Sequence, residues 1–373
     1  MTTARTAGSA TLLVALGVFA ACVDGPGEAQ ETGEMAFLAG EVLDQAQVVV
    51  NGQLDEVLVA LDQLDVALME LDGAPLDAAA RADAQDAWTA LHREWQHVEV
   101  MQMAQLGSSL TVIGGADVRD EVYSWPSVNP CRVDQETVEA NWDQPEFFTA
   151  NLVNSYGVDA LEQLLFGPEE DQCVSQVGID SDWNALGTEG VATNRVAFAQ
   201  TVSAGIRAQA EQGVDLSYAD EQEGLNEIIR ALFYLDTVTK DLKLARTAGL
   251  QDCGTEICPD EAESQVAGAS TDAVLANLEG FRLLFTGGDG VGLDDLLIGM
   301  GREDLVDDAL TQLDEADLAA LAVDSSLDVA GVDDLESVLA LHDEVKDVTD
   351  LLKGDITTVL ALQIPVEASG DND

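Results

Sequence analysis

The chain has 373 residues, 71 of them acidic and 15 of them Lys or Arg, for a formal net charge of −56 at pH 7. Hydrophobic residues make up 47% and mean hydropathy is slightly positive, so the apolar material suffices for a core and a wholly disordered chain is excluded. So few cations also exclude nucleic-acid binding, which works by displacing counterions from phosphates, and a polybasic grip on anionic lipid. The length allows two domains of ordinary size.

The chain begins with a cation, Arg5, and no acid through residue 21. Leu12–Ala21 is an apolar run of about ten residues, too short to span a bilayer but suited to the core of a signal peptide. Ala20 and Ala21 lead directly into Cys22. This resembles the lipobox of a bacterial lipoprotein, which implies a signal peptide over 1–21 and a lipidated Cys22 as the anchor to the membrane. Val23, not Asp, follows the cysteine, which by enterobacterial sorting favours the outer membrane. Residues 22–34 are small and polar and predict a flexible tether.

From Met35 the dominant period is helical. Val57, Leu58, Leu61, Leu64, Leu68 and Leu71 recur at spacings of three and four with acids between them, and Gly73-Ala74-Pro75 ends that helix. Further helices are expected over about 78–106, 145–166, 189–213, 216–249, 270–285, 294–314 and 332–362, with a long ordered loop at 107–144 and an irregular stretch at 167–187. Alternating β-branched runs are nearly absent. The predicted fold is all-α, with two helical bundle-like domains over 35–187 and 188–373.

Setting Cys22 aside leaves Cys131, Cys173, Cys253 and Cys258. An exported chain meets an oxidising compartment, so two disulfides are expected. Four cysteines allow three pairings; the favoured one joins Cys253 to Cys258 across a Gly-containing turn and Cys131 to Cys173. A zinc site from all four is disfavoured because no CxxC pair occurs.

Two segments carry candidate chemistry. In 87–99, His92, Trp95 and Glu99 share one helical face. His92 and His97, five residues apart, stand roughly 140° apart around the axis and do not suit one metal. No HExxH occurs anywhere. In 156–167, Asp159 and Glu162 sit one turn apart, while Leu161, Leu164 and Leu165 offer a core stripe. Burying two carboxylates together requires a cation or donors, which invites a hard metal ion or ferric iron. His342 reads as a solvated or packing histidine, and Asp294-Asp295 and Asp307-Asp308 as exposed faces.

Gly157-Val-Asp159-Ala-Leu-Glu162-Gln-Leu-Leu-Phe-Gly167 resembles the GxHxxE segment of imelysin-like proteins. The Arg93-Glu94-Trp95…Glu99 helix is similar to that family's second helix, and Val122-Tyr-Ser-Trp125-Pro126 before Cys131-Arg132-Val133-Asp134 to its Trp-Pro loop. Thr239-Lys-Asp241-Leu-Lys243-Leu244 matches its Asp-x-Lys-Leu element; Ala276–Gly280 and Ile364…Asp373 fit its later parts. The resemblance covers about residues 35–373. It implies a two-domain helical fold, export or lipid anchoring in the bacterial cell envelope, a link to iron uptake, and a site near the GxHxxE helix. Asp159 stands where the family motif has histidine, which keeps a ligand but removes imidazole.

Three functions are consistent with these readings. The first is a non-enzymatic protein binding iron or another divalent or trivalent metal through Asp159, Glu162, Glu99 and His92, anchored at Cys22 and facing the periplasm or outer membrane with iron-uptake proteins as partners. The second is a metallopeptidase of the imelysin type. The third is a helical module that recognises a ligand or protein, without metal, in a cleft lined by Trp95, Trp125, Tyr156 and Lys243.

Overall fold

The computed structural model describes the backbone of residues 26–369 and, from residue 37, the side chains. Cys22 and the segment before it, like residues 370–373, lie outside the described residues. No strand occurs among the described residues, and no helix among them is long and apolar enough to cross a membrane.

Helix α1 (Pro26–Gly73) has 48 residues, about 72 Å at 1.5 Å per residue. It takes in most of the stretch expected as a tether: Pro26 sits in the first turn, where no N–H is needed, and Glu, Ala and Gln favour helix after it. Val57, Leu61, Leu64, Leu68 and Leu71 are buried, as their spacing predicts, and Leu58 is half-buried against the same core. Helix α2 (Ala78–Glu99) returns antiparallel along α1 after a short turn, with the Asp77 carboxylate accepting from the N–H groups of Ala79 and Ala80.

α2 stops seven residues short of its expected end. Met101, Met103 and Leu106 are all buried, which no single helical face could achieve, and Ala104 takes a left-handed φ of 45°; tertiary burial outweighs helix propensity here. The expected loop at 107–144 holds two helices, α3 (Val118–Val122) and α4 (Pro130–Glu139), the latter capped by Asn129 with proline in its first turn. The expected 145–166 helix is likewise divided into α5 (Phe147–Ala150) and α6 (Val158–Phe166). Gly157 makes the break. Its φ is +105°, and a Cβ there would stand 2.7 Å from the Val122 carbonyl oxygen, so α6 can start close against the chain after α3 only at glycine.

Helix α7 (Asp180–Ala210) begins earlier than its periodicity suggests and bends at Gly187, φ +67°. Helix α8 (Glu221–Leu232), capped by Asp220, leads into a π-helix over Leu235–Ala245. Then come α9 (Ser270–Thr286), α10 (Leu293–Gly299), α11 (Glu303–Ala322), α12 (Leu327–Asp333), α13 (Leu335–Leu351), a π turn at Leu352–Ile356 and α14 (Thr357–Val359). Disulfides join Cys131 to Cys173 and Cys253 to Cys258, the favoured pairing.

One continuous apolar cluster runs through these helices from Ala39 to Ala368. α2 is central to it, packed on α1, α6 and α9. Its approach to α9 is set by Gly280, where a Cβ would lie 2.6 Å from the His97 carbonyl oxygen. Gly280→Ala must therefore push α9 off α2 and should destabilise the protein by about 1–3 kcal/mol, read as a lower urea midpoint; a midpoint equal to wild type would show that the two backbones can separate freely.

Candidate functional site

The α2 segment that carried His92 and Glu99 in the sequence forms one wall of a buried polar network. Glu99 is fully buried, and its carboxylate accepts from Arg119 Nε at 2.8 Å, Tyr234 OH at 2.7 Å and Lys243 Nζ at 3.3 Å. Lys243, also fully buried, lies 2.9 Å from Glu263 Oε2 and donates to Gln96 Oε1 at 2.6 Å. Glu263 Oε1 in turn accepts from Gln96 Nε2 at 2.9 Å and from Tyr123 OH. Asn277 of α9 donates to the Gln96 side-chain oxygen at 3.1 Å, joining a fifth segment to the cluster.

Two cations, Arg119 and Lys243, thus face two carboxylates, Glu99 and Glu263. Burial alone would raise Glu99, but Arg119 and then Lys243 hold it below the usual carboxylate range. Burial raises Glu263 against the opposing pull of Lys243. Tyr123 and Tyr234 are pushed well up, first by burial and then by the adjacent carboxylates, so both remain donors. Lys243 Nζ also stands 5.8 Å from the ring centres of Trp125 and Tyr234.

His92 stacks on Trp88 at 4.8 Å, and its Nε2 meets Ser264 Oγ at 3.1 Å and Gln96 Nε2 at 3.2 Å. Burial, then the nearby Lys243 charge, push its pKa down to about 3. It is a neutral, hydrogen-bonded ring.

Asp159 and Glu162 occupy the adjoining helix α6, both almost wholly buried. Asp159 accepts from Ser124 Oγ at 2.7 Å, and Glu162 accepts from the Ala267 N–H at 2.8 Å. Neither belongs to an ion pair within 4 Å among the described residues. Burial pushes Asp159 up to about 7; burial, with Asp159 and Glu263 as like-charged neighbours, pushes Glu162 up to about 8.

Of the four expected metal ligands, then, Asp159 and Glu162 share α6 as a pair without a counter-ion, whereas Glu99 is committed to Arg119, Tyr234 and Lys243, and His92 to Ser264 and Gln96. Among the described residues no three His, Cys, Asp or Glu side chains form a ready-made metal cage. What the site offers a cation is carboxylate oxygen from α6, the donor type of hard metals.

The expected cleft residues are dispersed. Trp95 is fully buried in the core and has no surface to offer a ligand, its helical face being turned wholly inward. Trp125 lines a cavity of about 210 Å³ with Arg119 and Tyr234, beside the buried network. Tyr156 lines a different cavity with Trp142 and Phe148, its hydroxyl donating to Glu121 at 2.7 Å. Lys243 lies within the network itself.

Sequence reasoning missed Gln96, Arg119, Tyr123, Tyr234 and Glu263. Arg119 alone left a trace, as one of only 15 Lys and Arg residues; Glu263 comes from an irregular segment with no periodic signal.

The raised carboxyls give a pH test. A carboxyl whose folded value exceeds its unfolded value contributes stability that is complete below the unfolded value and is lost as pH rises through the folded one. From about pH 5 to pH 9 in chelator, wild type should lose stability as Asp159 and Glu162 ionise, and Asp159→Asn and Glu162→Gln should flatten that decline. Urea midpoints with the same pH slope in all three proteins would contradict the assignment.

The imelysin family model matches residues 54–354. No curated protein matches the chain significantly. Among solved structures, the fold is similar to a protein from Parabacteroides distasonis ATCC 8503 assigned as an iron-regulated protein A precursor, with TM-score 0.61 and 14% identity, covering 85% of this chain and 95% of that one. It is also similar to an imelysin-like protein from Psychrobacter arcticum 273-4, with TM-score 0.59 and 16% identity, covering 90% of this chain and 96% of that one. With the family match spanning most of its length, over the α2 and π-helix segments of the buried network and the adjoining α6, the chain belongs to the imelysin family.

Proposed function

We propose that this imelysin-family protein is a non-enzymatic cation-binding protein of the bacterial cell envelope, exported and anchored through a lipidated Cys22, and that its cargo is iron delivered to envelope iron-uptake proteins. The observation that carries the reading is the pairing of charges. Glu99 and Glu263 have Arg119 and Lys243 as counter-ions, whereas Asp159 and Glu162, one turn apart and buried beside them, have no ion-pair partner within 4 Å among the described residues, Arg119 acting on Asp159 only from further off. Two buried carboxyls without a counter-ion hold protons that a hard cation can displace. Relatives in fold include a protein assigned as iron-regulated, which supports iron as the cargo.

The peptidase reading has less support. Asp159 and Glu162, raised to about 7 and about 8, can accept protons near neutral pH, but the imidazole of the family motif is missing. His92 is held neutral and engaged at Nε2, and Asp159 fills the motif position of histidine.

Calorimetric titration with ferric citrate and with Mn²⁺ at pH 7.5 tests the reading. Wild type should bind one ion per chain and release protons, and Asp159→Asn or Glu162→Gln should each weaken binding at least about tenfold, the loss of one charged ligand being worth more than 1.4 kcal/mol. Equal or negligible binding by all three proteins would sink the proposal.

A further inference from the structure

A third cavity, of about 770 Å³, lies between the start of α2, the loop after α6 and the bent helix α7. It shares none of its lining with the buried network. Its chemistry is unusual for this chain, because two of the 15 Lys and Arg residues, Arg81 and Arg195, line it together.

Arg195 is 4% exposed. Its guanidinium lies 5.2 Å from the centre of the Trp183 ring. One terminal nitrogen donates to the Gly167 carbonyl at 3.3 Å, and the other stands 3.4 Å from Asp134, a carboxyl that burial pushes up. Its Nε is buried with no partner. Burial, partly offset by Asp134, lowers the pKa of Arg195, and the positive charge of Arg81 lowers it further, so the two guanidiniums repel each other. Arg81 has one long hydrogen bond, 3.5 Å to the Pro75 carbonyl, and no carboxylate within ion-pair distance among the described residues. Arg195 keeps one carboxyl, Asp134, and an unpartnered Nε, and Arg81 has no ion pair among the described residues, so guanidinium donors on the cavity lining remain unused.

The rim has the opposite sign. Glu169, Glu170 and Asp180 line the mouth and are exposed. The loop bearing the first two is held rigidly. Trp183 Nε1 donates to the Glu169 carbonyl at 3.1 Å, the Gln172 N–H donates to Asp134 at 2.7 Å, and the Cys131–Cys173 disulfide ties the loop to α4. An acidic rim repels a simple anion approaching the arginines, so the layout selects a ligand carrying both signs.

We propose that this cavity binds a small zwitterion, of the class from free amino acids to short peptides, with its carboxylate on Arg81 and Arg195 and its ammonium against Glu169, Glu170 and Asp180. The volume lies within the general range of small-molecule pockets and leaves ample room for a ligand of this class. Planar guanidinium is the side chain best shaped for a carboxylate.

Isothermal titration of the full chain with the dipeptide Gly-Leu, its N-acetyl derivative and inorganic phosphate separates the sources of charge. Gly-Leu should bind saturably. N-acetyl-Gly-Leu and phosphate should each bind at least about tenfold more weakly. Arg81→Gln, a change at a half-buried side chain outside the core, should weaken Gly-Leu at least about tenfold while leaving the melting temperature unchanged. In Glu169→Gln/Glu170→Gln/Asp180→Asn the acetylated and free dipeptides should bind alike. No saturable Gly-Leu binding, or binding of phosphate or the acetylated peptide as tight as that of Gly-Leu in wild type, would overturn the proposal.

Discussion

The buried contact of Lys243 with Glu99 and Glu263 organises the structure around the site. Three segments far apart in the chain meet there: α2, the π-helix after α8 and the irregular stretch before α9. Each ion taken from water without its partner would be strongly disfavoured in this interior, so the four charges of Glu99, Glu263, Lys243 and Arg119 are favourable only together. Two tyrosines and Gln96 donate to the carboxylates, and Asn277 extends the bonding to α9. The arrangement pairs two cations with two carboxylates, and only Glu263 Oε2, set against Lys243, lacks a hydrogen-bond donor.

That pairing gives the neighbouring helix its character. α6 begins at a glycine close to the chain after α3, which brings Asp159 onto Ser124 and Glu162 onto the backbone at Ala267. These bonds hold the carboxyls in place without neutralising them. In a protein with so many acids a carboxylate has little meaning by itself; a buried pair lacking a counter-ion next to a fully paired cluster does. Imidazole at position 159, as the family motif has it, would present a neutral nitrogen. Asp159 presents an ionisable oxygen, so a cation bound there, as proposed, would be a harder one and its binding would be coupled to protons.

Much of this was legible in the chain. The leucine and valine spacing of α1 marked its buried face, and the cysteine pairing and the Asp159–Glu162 turn stood out as they occur. Periodicity, however, says which residues share a face, not which faces meet. Glu263 sits in a stretch without a period, and Arg119 and Tyr123 in what reads as loop, so their convergence on Glu99 depends on tertiary packing alone. The π-helix was equally hidden: Leu235–Ala245 reads as ordinary helix, yet it carries Lys243 to Glu99, with Tyr234 at its N-terminal boundary reaching the same carboxylate. Trp95 misled for a related reason, since a tryptophan on the face of His92 suits a cleft as well as a core, and only the packing of α2 at the centre of the molecule decides for the core.

The central claim is that a cation sits on α6 while the Lys243 cluster stays intact. Anomalous scattering from crystals soaked in Mn²⁺ or ferric citrate tests it most directly. The account predicts one strong peak within ligating distance of both the Asp159 and Glu162 carboxylates, with Glu99 still held by Arg119, Tyr234 and Lys243. Peaks confined to surface acids, or a metal bound to Glu99 after displacement of Lys243, would contradict it.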